Sequence, residues 1–251
     1  MTEEAPVEET FISHLVELRD RLVKAIIGVA IVCIALFIWP GPKEIYDFLA
    51  MPMLASLPPG AKMIATGVVS PFLVPMKVTL MFALIVALPW VFYQMWAFVA
   101  PGLYAHEKRL VLPLVVSSSL LFIGGVAFCY FLVFGRVFHF IAEFAPTSIA
   151  VMPDIENYLD FVMSLCLAFG ATFEVPVVVV ILVRMNIVTV QKLREFRRYV
   201  IVGAFVVAAI VTPPDVPSQL ALAACLCVLF EVGLLLAPVF VKATQAPEET
   251  I

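Results

Sequence analysis

The sequence predicts an all-α polytopic membrane protein with six transmembrane helices and both termini on the cytoplasmic side. Three observations carry that reading. The chain of 251 residues is 63% hydrophobic and 14% charged, with a mean hydropathy of +1.10, whereas soluble domains carry roughly 25% charged residues. Apolar runs recur along it, most of them long enough for the about 20 residues that a bilayer crossing needs. Lysine and arginine are also distributed unevenly between the connections, as the positive-inside rule describes. The whole chain, 1–251, reads as a single integral membrane domain. The net charge of −4 is small and gives no reason to expect nucleic acid.

The elements follow in order. The start, Met1 to Glu9, is acidic, where a cleaved signal would carry a basic segment, so the first apolar run is expected to be kept as an anchor. Thr10 to Arg21 has the period of an amphipathic helix, with Phe11, Leu15, Leu18 and Leu22 on one face and His14, Glu17 and Arg21 on the other. The first span is read over 22–39, interrupted only by Lys24, whose stem can reach the interface. The second covers 78–100, with Pro89 expected to kink it. The third covers 110–135 without a charge. The fourth covers 159–183, with Asp160 at its edge and Glu174 deep inside.

The fifth span is read over 199–211, only 13 residues and about 20 Å as a helix, against a hydrocarbon core of roughly 30 Å. Pro213, Pro214 and Pro217 then stop any regular helix. The sixth span, 218–241, is long again and contains Glu231. A re-entrant hairpin stands as the alternative to a short fifth span. The connections 40–77 and 136–156 carry apolar and proline-rich stretches that predict short helices at the membrane surface. Arg19, Arg21, Lys24, Lys108, Arg109, Arg184, Lys192, Arg194, Arg197, Arg198 and Lys242 fall on one side of this topology. Lys43, Lys62, Lys77 and Arg136 fall on the other. That bias places both termini in the cytoplasm.

Chemistry is sparse. The five cysteines all lie in apolar runs, without metal-ligand spacing or a neighbouring histidine, and read as small buried hydrophobes. His14, His106 and His139 are scattered. No phosphate loop, zinc pair or nucleophile elbow occurs, so the inventory points away from an enzyme and predicts no cofactor and no metal. The serines at 117–119 are expected to bond to the preceding turn or to a neighbouring helix. Glu174 stands out, because a charge at bilayer depth costs at least about 2.5 kcal/mol. It is either functional or a protonated group hydrogen-bonded to a neighbouring helix. Glu17 and Arg21 can be a solvated pair, and Glu107 can simply suit the start of the third span.

Several stretches together resemble the TatC family, the signal-receptor subunit of the twin-arginine protein translocase. They are His14-Leu15-Val16-Glu17-Leu18-Arg19, Ser70-Pro71-Phe72, the run Tyr93 to Tyr104, His106-Glu107-Lys108-Arg109, Ala168-Phe169-Gly170 with Phe173-Glu174-Val175-Pro176, and Thr212-Pro213-Pro214-Asp215. They occur in the family's order and span Phe11 to Lys242. The resemblance implies a glove-like, concave arrangement of the spans in the bacterial cytoplasmic membrane. It implies recognition of signal peptides with paired arginines and transport of folded precursors using the proton-motive force. The single-span subunits TatA and TatB would be partners, and the chain would associate with further copies in the receptor complex. Glu17 and Glu107 would meet the signal's guanidinium groups, with Phe98, Leu15 and Arg19 beside them. Gln94 and Glu174 would be polar groups on the concave intramembrane surface. Thr212, Asp215 and Gln219 would belong to a patch that docks a partner helix, in which Ala209 is smaller than the family pattern leads one to expect. Two rival functions are a proton-coupled solute transporter with Glu174 as relay, which would call for paired broken helices and an internal repeat, and a scaffold with no receptor site.

Overall fold

In a computed structural model, the structure describes residues 6–56, 62–103, 111–144, 146, 152–185, 187–212 and 215–244. The described residues form helices joined by short connections; the only strand-like pairing among them is an isolated parallel bridge between Ile64 and Asp154. Such an architecture is what a bilayer demands, since a helix satisfies its own backbone polar groups.

Helix α1, Pro6–Ile38, merges the amphipathic segment and the first span into one rod of 33 residues, about 50 Å long. It packs on α3, Ser70–Leu103. Contact is close because Gly28 has no side chain: a Cβ there would lie 2.2 Å from Trp90 Cδ1. The Trp90 indole N–H donates to the Lys24 carbonyl at 2.9 Å, pinning the two helices together. The helical ladder of α3 runs on past Pro89, so the proline does not divide the span.

Helix α2, Pro42–Ser56, fills much of the first long connection and buries Ile45 and Leu49. Tyr158 Oη donates to the Leu49 carbonyl at 2.7 Å and Tyr130 Oη to the Phe48 carbonyl at 2.5 Å. The two long connections are also stitched to each other. Ile64 N donates to the Pro153 carbonyl, and Ile155 N to the Ile64 carbonyl. Thr66 donates its backbone N–H and its hydroxyl to Asp154 Oδ1 at 3.0 and 2.9 Å, and Ser70 Oγ donates to Glu156 at 2.8 Å. The Thr66 bonds hold the Asp154 carboxyl below the usual carboxylate range.

Helix α4, Val111–Phe128, passes through a π-helical turn, Cys129–Val133, into α5, Phe134–Phe144. Together they make a rod of 34 residues, longer than the expected third span. Beside it lies α6, Ile155–Phe173, capped by the Asp154 carboxylate, which accepts from the backbone N–H groups of Glu156 and Asn157. A Cβ on the buried Gly125 of α4 would lie 2.6 Å from the Phe169 carbonyl oxygen of α6, so only glycine permits this approach. Small residues are what membrane helices use to pack, since lipid is as apolar as a leucine. Near the crossing the Phe128 ring packs on Phe169, and further along Phe134, Phe138 and Phe161 form a three-ring cluster. Helix α7, Val175–Arg184, continues the fourth span after a break at Glu174.

After the short α8, Val190–Glu195, comes α9, Arg197–Val211, at 15 residues too short to match the other spans. It lies along α10, Val216–Thr244. Among the described residues, five helices are long and apolar enough to cross a membrane, over Ser13–Ile38, Ser70–Val99, Val111–Phe144, Ile155–Arg184 and Val216–Val239. With α9 they give the six-helix polytopic architecture that the sequence predicts.

Candidate functional site

Three places hold the polar residues singled out in the sequence. The first is at one end of the bundle, where α1 meets the last turns of α3. Arg21 and Glu17, four residues apart on one face of α1, form a half-buried pair, with Arg21 Nε donating to Glu17 Oε1 at 2.8 Å and Nη2 at 2.7 Å from the same oxygen. One turn earlier, the His14 ring stacks on Phe98 of α3, centroids 4.4 Å apart. The chain thereby brings Glu17 and Phe98, 81 positions apart in sequence, to the same corner. Arg19 turns outward to Asp20 at 2.8 Å, and Leu15 is exposed. Glu107 lies outside the described residues.

The second place is inside the membrane. Gln94 of α3 is buried. Two residues on, the Trp96 indole N–H donates to Ser118 Oγ of α4 at 3.2 Å. Ser118 in turn faces the carboxyl of Glu174. Its neighbours Ser117 and Ser119 donate to carbonyls of the preceding turn, those of Leu114 and Val115. Of the two outcomes expected for these serines, both occur, and the middle one links helices. Glu174 sits at the break between α6 and α7; its N–H donates to the Ala171 carbonyl and its own carbonyl accepts from Val178. Pro176, at the start of α7, supplies no backbone donor, which is why the ladder opens here. Among the described residues, Glu174 Oε1 is the buried side-chain N or O atom left without a hydrogen-bond partner. An orphaned buried oxygen of this kind marks a site that takes a proton, a water or a partner's donor.

The third place is the turn between α9 and α10. Thr212 is buried and its hydroxyl donates to the Ala208 carbonyl at 2.8 Å. Asp215 caps α10, accepting from the Ser218 N–H at 2.8 Å and from the Ser218 hydroxyl. Gln219, one turn into α10, is half-exposed. At the far end of α9, Arg197 Nη2 lies 2.7 Å from Glu231 Oε2. The sequence marked Glu231 as a charge within the sixth span but could not name its partner. The Trp96–Ser118 link and the His14–Phe98 stack were likewise not foreseen; each is a contact between helices distant in sequence.

A bundle of long apolar helices with a half-satisfied carboxyl in its interior, and a paired glutamate beside stacked rings at one end, is a polytopic membrane protein. Comparison with known proteins sharpens this. Residues 13–224 match the family model of the Sec-independent protein translocase protein TatC. The chain is 49% identical to the TatC protein of Escherichia coli (strain K12) over 245 residues, covering 97% of this chain and 94% of that one. It is also 49% identical to the TatC protein of Halothiobacillus neapolitanus, covering 96% of this chain and 66% of that longer one. A crystal structure of the twin-arginine translocase receptor TatC, 36% identical, superposes with a TM-score of 0.78 over 90% of this chain and 98% of that one. The chain belongs to the TatC family, a family of protein translocases rather than enzymes.

Proposed function

We propose that this chain is the receptor subunit of a twin-arginine translocase in the bacterial cytoplasmic membrane, with both termini in the cytoplasm. The observation that carries the reading is the corner where α1 meets α3. There a half-buried glutamate, Glu17, already accepts a guanidinium, that of Arg21, beside the His14–Phe98 stack. A signal arginine displacing Arg21 would find a carboxylate suited to its planar fork of donors. Phe98 lies nine residues before Glu107 in sequence, and the reading assigns Glu107 to the second arginine from the family motif. The excess of lysine and arginine at this end supports a cytoplasmic placement.

In this reading Glu174 and Gln94 serve the transport step, in which the proton-motive force acts, and not the recognition step. TatA- and TatB-type single-span helices dock along α9 and α10, where Thr212, Asp215 and Gln219 cluster, and further copies of the chain complete the receptor complex. A helix too short for the bilayer is better covered by protein than by lipid. The test is binding of a twin-arginine signal peptide to the purified chain. Glu17→Gln and Glu107→Gln are each expected to weaken it by about 1.5–3 kcal/mol, the range for hydrogen bonds to charged groups. Unchanged affinity in both variants would refute the assignment.

A further inference from the structure

A groove of about 570 Å³ lies between the α4–α5 rod and α10. Its walls are apolar: Phe128, Leu132, Phe173, Ala221, Ala224 and Val228 line it. Arg136 and Pro217 stand at one end of it. At that end α5 packs on α2 and α10 begins. From Pro217 to Val228 the wall runs 11 residues of helix, about 16 Å. From Arg136 back to Phe128 it runs eight, about 12 Å. The groove thus spans about half of the roughly 30 Å hydrocarbon core, the depth of one leaflet.

Arg136 is placed where a headgroup would be. It lies 25 residues after Val111, the first residue of the rod, about 37 Å along it. That is beyond the hydrocarbon and within the roughly 40–45 Å that includes the headgroups. Its side chain is exposed, and no described residue pairs with it. A guanidinium is a five-donor fork matched to phosphate.

We propose that this groove is a binding site for one anionic phospholipid, with an acyl chain along Leu132, Ala221 and Ala224 and the phosphate held by Arg136. A partner helix would cover the apolar walls but offers no anion of its own to the Arg136 guanidinium. A zwitterionic lipid would fill the apolar part equally but would gain less from an unpaired guanidinium, because its own cation competes.

Native mass spectrometry of the detergent-purified chain, given equal phosphatidylglycerol and phosphatidylcholine, tests this. The chain should retain phosphatidylglycerol in preference. Arg136→Gln, an exposed change that leaves packing intact, should cut that retention about tenfold, to the phosphatidylcholine level, and Arg136→Lys should restore part of it. Ala224→Trp, which fills the groove, should lose both lipids; its melting curve in lipid-free detergent tells a filled groove from a damaged fold. Equal retention of the two lipids by the unaltered chain, or full phosphatidylglycerol retention by Arg136→Gln, would overturn the proposal. So would a photo-crosslinker at Ala224 that captures a protein in native membranes and no lipid.

Discussion

Two membrane helices of this chain, the first and the fourth, are both long and apolar and yet live in opposite surroundings. The apolar window of Ser13–Ile38 has none of its residues buried, and half of the window in Ile155–Arg184 is buried. Helix α1 packs along α3 on one side, with the Trp90–Gly28 approach, the Trp90–Lys24 hydrogen bond and the His14–Phe98 stack, and has little contact with the other described helices. The α6–α7 span touches α3, α4, α9 and α10 and is locked against α4 at Gly125. Apolar burial gives no driving force between helices in lipid, so what separates the two is close backbone approach and polar contact. The helix with one neighbour carries Glu17, half-buried and paired with Arg21. The firmly held one carries Glu174, whose orphaned oxygen keeps its place only because its neighbours are fixed.

The comparison can be broken at its strong side first. Gly125→Leu puts a side chain against the Phe169 carbonyl, and should cost about 3 kcal/mol, the upper end for overpacking. Thermal unfolding in detergent would show it, and a midpoint equal to that of the unaltered chain would mean that the α4–α6 crossing is not the keystone. At the weak side, Gly28→Ala meets only the Trp90 side chain, which can turn away, so about 1–2 kcal/mol is expected. Its main effect should be on α1 alone, read as a lost disulfide between cysteines placed at His14 and Phe98 while the rest of the protein melts as before.

Glu174 sharpens the contrast between fold and function. Glu174→Gln and Glu174→Ala should each change the fold by less than about 1 kcal/mol, since one carboxyl oxygen has no bond to lose. Glu174→Ala should nevertheless depress precursor export while leaving signal-peptide affinity intact. Labelling of Glu174→Cys by a membrane-impermeant thiol reagent, in a chain whose native cysteines are replaced, reports whether water reaches it. Protection from the reagent together with normal export by Glu174→Ala would make the residue structural. The smallest effect is expected at Arg197 and Glu231, an ion pair with both side chains nearly half exposed. A double-mutant cycle of Arg197→Gln and Glu231→Gln should return about 0.2–1 kcal/mol of coupling, falling with salt. A larger coupling would indicate that the short α9 depends on this charged tie to α10.

The order and type of the helices were legible in the sequence because a bilayer admits few alternatives to them. Ends were less legible. Nothing in the stretch before Leu22 shows that the amphipathic helix and the first span are one rod, because both obey the same period. Pro89 lies within one continuous helix, whereas Pro176 coincides with a break at Glu174, a difference that residue type alone does not show. The π turn at Cys129–Val133 has no signature in residue type. Site residues were legible one at a time, from charge in an apolar run or from family motifs. Their partners were not, because Trp96 with Ser118, or Arg197 with Glu231, meet only through the rotation of one helix against another.

The stitch between Thr66 and Asp154 has a bearing on how the chain is assembled. Its two halves are separated by 88 residues, and the second and third spans lie between them, so it cannot close until both have been made. A chain stalled earlier in synthesis lacks it, along with the Ile64 bridge and the Ser70–Glu156 bond. Closing so long a loop carries an entropic cost that grows only slowly with its length. The clasp is therefore an event of mid-assembly: once Asp154 finds Thr66, the starts of the second and fourth spans are tied before the remaining helices pack against them.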